Sequence, residues 1–116
     1  YPIPEVGWHV PRLISAKLAG KDFFEVEAML SDDPITTSYE RYVERSEPTF
    51  KLLDSLRGDK IVRVYPHRLF CNTVVQGRCV THSSSKVFYL DDDHLSEVGA
   101  EMLVGEIARA INRVAK

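Results

Sequence analysis

The 116-residue sequence predicts an α/β fold with a mainly parallel sheet and a long C-terminal helix. Three observations carry that expectation. Val87-Phe88-Tyr89-Leu90 is a β-branched, aromatic and aliphatic run without polar alternation, which suits a strand covered on both faces. From Ser96 the period changes: Val98, Met102, Leu103, Ile107, Ile111 and Val114 recur at three- and four-residue steps between Glu101, Glu106, Arg109, Asn112 and Arg113, as on an amphipathic helix. Between a strand remnant at Tyr1 and a second strand at residues 61–65 lies a helix-forming stretch long enough for a right-handed parallel crossover.

The N-terminal segment holds Pro2, Pro4 and Pro11, which exclude both a helix and a central strand. It reads as an ordered loop leaving a strand, with Trp8 as a buried anchor. His9 has no partner near it in sequence and reads as a capping or surface residue. Pro11 suits the first turn of a helix through Arg12, Leu13, Ile14, Ala16, Lys17, Leu18 and Ala19, which Gly20 ends. Phe23, Phe24, Val26, Ala28, Met29 and Leu30 fit the end of a helix with a loop, or one more helical turn. Ser31-Asp32-Asp33-Pro34 reads as a turn or a helix start, and no Gly-centred calcium loop surrounds its two carboxylates.

Residues 35–56 are mostly helix-forming, with Tyr39, Tyr42, Val43, Phe50, Leu52, Leu53 and Leu56 on the apolar face, the tyrosines reading as core. Pro48 removes an amide donor and is expected to break or kink this helix near Ser46; Gly58 is the natural residue past its end. Residues 61–65 form the next strand, which Pro66 stops. Cys71 and Cys79 allow a metal half-site or a disulfide. Only one pair exists, so a disulfide closing the short loop is favoured, and it would place the protein outside the reducing cytosol. Residues 80–82 and 86–89 flank Ser83-Ser84-Ser85 as a hairpin. A polar turn explains the serines without chemistry.

The chemistry-bearing stretch is Asp91-Asp92-Asp93-His94, between the second hairpin strand and the final helix. Ser96 suits its N-cap, Glu97 its positive end, and Arg113 and Lys116 its negative end. A carboxylate three residues before a His in a tight loop can accept the Nδ1 proton, leaving Nε2 as a general base. Asp91 and His94 are therefore the candidate catalytic pair. A net charge of −2 with mixed signs gives no reason to expect nucleic acid. No apolar run reaches membrane-spanning length, and no signal peptide or internal repeat is visible.

Asp91-x-x-His94-Leu95-Ser96-x-x-Gly99-Ala100, reached from an apolar strand and running into a C-terminal helix, resembles the last conserved block of SGNH (GDSL-like) hydrolases. More narrowly, the sequence is similar to the SGNH domains fused behind bacterial acyltransferase family 3 membrane proteins. In those, Cys71, Cys79 and Tyr89-Leu90-Asp91 also match the pattern. The resemblance implies a partial three-layer, flavodoxin-like domain and a Ser-His-Asp triad to which Asp91 and His94 contribute. It further implies a periplasmic or extracytoplasmic esterase or O-acyltransferase acting on carbohydrate O-acetyl groups, tethered by a membrane acyltransferase domain. The family's Gly-Asp-Ser turn is missing, the only Gly-Asp being Gly58-Asp59 before Lys60, as is its Gly-x-Asn-Asp segment. The chain, which begins at Tyr1, is thus expected to be the C-terminal half of the domain. Alone it should be inactive and should pair with the missing half or self-associate. No cofactor is expected. Two other readings stand beside this one: a non-catalytic carbohydrate-binding or interaction module with a vestigial loop, and a divalent cation site made by Asp91, Asp93 and His94.

Overall fold

The long helices all begin on a side chain that accepts from the first turn, so local chemistry places them. The computed structural model describes residues 1–115, and the expected charge of Lys116 lies outside the described residues. At α1 (Val10–Leu18) the His9 Nδ1 accepts from the Arg12 N–H at 3.2 Å, and Pro11 sits in the first turn. His9 is thus a cap, as expected. Asp22 and Glu25 form a reciprocal capping box at α2 (Phe23–Asp32), which explains why this stretch is a full helix rather than a single turn. Ser31 and Asp32 consequently end that helix and do not start another.

Residues 35–56 begin as a strand, β1 (Thr36–Ser38), before α3 (Tyr39–Ser55), where Ser38 Oγ accepts from the Arg41 N–H. The expected break near Ser46 does not occur, and one helix runs through Pro48. Glu44 and Pro48 are both exposed, so the carbonyl that Pro48 leaves without a donor lies on a face open to water. Tyr42 is buried and donates its hydroxyl to the Pro2 carbonyl at 2.7 Å, whereas Val43, Leu52 and Leu56, expected on the apolar face, are exposed.

The sheet is the main correction. After the single turn α4 (His67–Phe70) comes β2 (Arg78–Val80), paired antiparallel to β1 with Thr37 opposite Cys79. Among the described residues no parallel pair occurs. Residues 61–65 form no strand. The Tyr1 amino group donates to the Val64 carbonyl at 3.1 Å, but Pro2 and Pro4 have no amide hydrogen and cannot extend a ladder. Residues 87–90 pair locally instead, through single bridges between His82 and Val87 and between Tyr89 and Leu95. The first of these is what remains of the expected hairpin, with Ser83 N–H donating to Lys86 and Phe88 N–H to Thr81.

Cys71 and Cys79 form the disulfide. Asn72 and Gly77 both take left-handed backbone (φ 57° and 76°) to close the loop, and the Gly77 N–H donates to Asn72 Oδ1 at 2.7 Å. A loop this short is stabilised by about 2–3 kcal/mol on chain-entropy grounds. The disulfide belongs to a core that includes Val10, Ile14, Leu30, Ile35, Phe70, Val80, Phe88 and Tyr89; Trp8 packs against it half-buried rather than buried.

α5 (Glu97–Val114) is the expected amphipathic helix, buried at Gly99 and Ala110 and partly covered between them. Ile107, Ile111 and Val114 are exposed, together with Val104, because no described element packs on that stripe. The radius of gyration is 15.9 Å, against about 13 Å for a compact domain of this length.

Candidate active site

A bridge between Tyr89 and Leu95 and a 2.8 Å bond from the Leu90 N–H to the His94 carbonyl pinch residues 91–94 into a tight loop. Inside it, Asp91 Oδ1 accepts from the Asp93 N–H (2.9 Å) and the His94 N–H (2.7 Å). The other oxygen, Oδ2, lies 2.9 Å from His94 Nδ1, and Asp93 Oδ1 reaches the same nitrogen at 2.8 Å. Ionised carboxylates only accept, so Nδ1 carries the proton and Nε2 keeps its lone pair. The His94 side chain is 71% exposed, which leaves Nε2 open to approach.

The charges follow from these contacts. Hydrogen bonds from the Asp93 and His94 amides hold the Asp91 carboxyl well below the usual carboxylate range. The hydrogen bond that Nδ1 donates to Asp91, reinforced by the charges of Asp91 and Asp93, raises the His94 imidazole above its ordinary value. Partial desolvation pushes Asp93 up, helped by Asp92 and Asp91. Asp91 is thus the permanent anion of the group.

The N-terminal segment forms the floor beneath this loop. The Val6 N–H donates to the Asp92 carbonyl (2.8 Å), the Val10 N–H to the Asp91 carbonyl (3.2 Å), and the buried Tyr89 hydroxyl to the Pro4 carbonyl (2.8 Å). On the other side, the Ser96 N–H donates to Phe88 and its hydroxyl to Val87, while Ser96 Oγ caps α5 through the Gly99 N–H. A Cβ at Gly99 would run into the Phe88 carbonyl oxygen and crowd Leu95. That collision is the physical reason for a glycine three residues after the cap. The sequence reading left the floor residues and Gly99 without roles. The prolines were the available signal, since a donor-poor segment offers carbonyls for other groups to use.

No other imidazole among the described residues pairs with a carboxylate. His82 is buried, accepting from the Ile35 N–H at Nε2 (2.9 Å) and meeting the Ser83 carbonyl at Nδ1 (2.7 Å). His67 sits among aromatic rings with Nδ1 3.3 Å from the Tyr42 hydroxyl. Burial lowers the pKa of both. Ser83 Oγ accepts from the Ser85 and Lys86 amides, the polar turn expected of the serine run. The ligand atoms of Asp91, Asp93 and His94 lie within 4.8 Å of one another, close enough to share a cation.

The disulfide-bearing core, the Asp-x-x-His loop and the C-terminal helix it feeds agree with the class that sequence comparison assigns, the SGNH domains. Within that class the match is to the SGNH domain fused to AT3 domains, over residues 1–109, and the chain belongs to this family. No curated protein and no solved structure matches it.

Proposed function

We propose that the chain carries the acid–base half of an extracytoplasmic serine esterase or O-acyltransferase acting on carbohydrate O-acetyl groups. The observation that carries this reading is the 2.9 Å contact between His94 Nδ1 and an Asp91 carboxylate already fixed by two backbone amides. The nucleophilic Ser and the oxyanion donors come from chain outside these residues. The exposed stripe of α5 and the large radius of gyration support a further segment packing here.

In the complete site His94 Nε2 takes the proton of the Ser hydroxyl as its oxygen attacks the acetyl carbonyl. The same nitrogen returns that proton to the departing sugar oxygen, which leaves an acetyl-Ser. Water or a second sugar hydroxyl, deprotonated in turn by His94, then releases acetate or an acetylated sugar. Asp91 stays ionised throughout and stabilises the imidazolium. The Cys71–Cys79 disulfide supports an oxidising compartment such as the periplasm, and the family's fusion to AT3 domains supports tethering to a membrane domain. Among the described residues, no helix is long and apolar enough to cross a membrane.

The test is hydrolysis of p-nitrophenyl acetate by a longer protein containing this chain and its upstream sequence. His94→Ala should lower kcat by at least about a thousandfold. Activity untouched by that substitution would end the proposal. The cation reading keeps one observation in its favour, the convergence of Asp91, Asp93 and His94, and is tested below.

A further inference from the structure

A cleft lies beside the Asp–His loop, not within it. It has a volume of about 540 Å³ and is bounded by residues 6–8, β1, the first turns of α3 and Arg78. Its walls are mostly polar, and they carry Trp8, Thr37, Arg41, Glu44 and Arg45 in addition to Arg78.

Three features bear on what it holds. First, the charges nearly cancel: three arginines and two glutamates line it, and Glu5 stands 3.9 Å from Arg45. A site for phosphate or another small anion would carry a clear positive excess. Second, the polar groups are planar, fork-shaped donors, carboxylate acceptors and hydroxyls around a single indole. That mixture suits a ring with hydroxyls at its rim and C–H groups on its face. Arg78 is held in place by Thr36, through Nε to Oγ1 (2.9 Å) and Nη2 to the carbonyl (3.0 Å), whereas the Arg41 side chain has no partner among the described residues and is available to a ligand. Third, the cleft shares a wall with the candidate active site. Gly7 turns the chain with φ 84°, so that Val6 and Val10 on either side of Gly7-Trp8-His9 bond to the carbonyls of Asp92 and Asp91.

We infer that this cleft is a subsite for an uncharged saccharide, with Trp8 as the stacking surface and Arg41, Glu44 and Arg78 as the groups that read its hydroxyls. The inference deepens the proposed function and rests on it for the acyl group. The sugar held here is a non-reacting unit of the glycan, and the shared wall directs a neighbouring unit towards His94.

Trp8 is the only tryptophan of the chain, so its emission reports the cleft directly. The experiment titrates the 116-residue chain with maltotetraose, with chitotetraose and, for comparison, with inorganic phosphate. At least one tetrasaccharide should change Trp8 fluorescence saturably. Arg41→Ala and Glu44→Gln, at exposed helix positions where folding is little disturbed, should each weaken that response about tenfold. Lys60→Ala, outside the cleft, should leave it as it is. The absence of a response to either sugar, an undiminished response in both cleft variants, or a stronger response to phosphate than to sugar would overturn the inference. These sugars carry no O-acetyl ester to hydrolyse. Binding therefore succeeds or fails independently of the Asp91–His94 chemistry, which the hydrolysis assay tests.

Discussion

Asp91 holds His94 at two points: Oδ1 accepts the His94 backbone N–H at 2.7 Å, and Oδ2 meets the ring Nδ1 at 2.9 Å. One carboxylate thus orients the histidine's backbone and, together with Asp93 Oδ1 at 2.8 Å from the same nitrogen, its ring. Because that carboxylate stabilises the charged ring, His94 must lose its proton above the ordinary imidazole value of about 6.5 before it can act as a base. In the active longer protein, kcat/KM should therefore rise with pH to a plateau whose midpoint lies above that value. Asp91→Asn should lower the midpoint and cut the plateau by at least about a hundredfold. A pH–rate profile whose midpoint is the same in both proteins would show that Asp91 does not act on His94.

Gly99→Ala is the sharpest packing test. The added methyl collides with the Phe88 carbonyl oxygen, which belongs to the backbone leading into the site. The cost should be about 1–3 kcal/mol, seen as a lower denaturation midpoint. Gly105→Ala on the same helix, where the new carbon would meet only the mobile end of Arg109, should be neutral or slightly stabilising.

Acid should weaken the fold before it protonates the carboxylates. His67 and His82 are kept neutral by burial, so below about pH 6.5 the unfolded chain binds protons that the folded chain refuses. Their contribution is complete above that pH and falls as the pH drops through it. His94 has the opposite sign: its pairing stabilises below about pH 6.5 and is lost as the pH rises through its raised folded value. Thermal midpoints should decline from pH 7 to 5.5, and His82→Gln should flatten that slope. A steeper slope in the variant would assign the acid sensitivity elsewhere.

Added calcium, magnesium or zinc should leave the melting temperature unchanged. The three side chains are exposed and already bound to one another, and a cation at Nδ1 would have to displace the proton shared with two carboxylates. A rise reversed by chelator and abolished by Asp93→Asn would reassign the loop as a metal site.

The Asp91–His94 pairing was legible because its partners are three residues apart in a pinched loop, where local geometry decides the outcome. The starts of α1 and α5 were legible for the same reason, each resting on a cap three residues from its donor. Residues 61–65 show the limit. Their composition is that of a strand, but a strand exists only with a partner, and the segment beside them contains two prolines with no hydrogen to donate. Pro48 failed in the other direction: its cost depends on whether the carbonyl it leaves unpaired meets water, which sequence does not reveal. Val43, Leu52 and Leu56, read as part of an apolar face, and Ile107, Ile111 and Val114 of α5 are exposed instead, because periodicity cannot say what covers a stripe.

The bond from Tyr89 to Pro4 joins residues 85 positions apart and lies directly beneath the Asp–His loop. Such a closure is entropically expensive and tends to form late in folding. The pairing within residues 91–94 is local, but the platform that anchors it to the rest of the fold is complete only when residues 4–10 have docked beneath it.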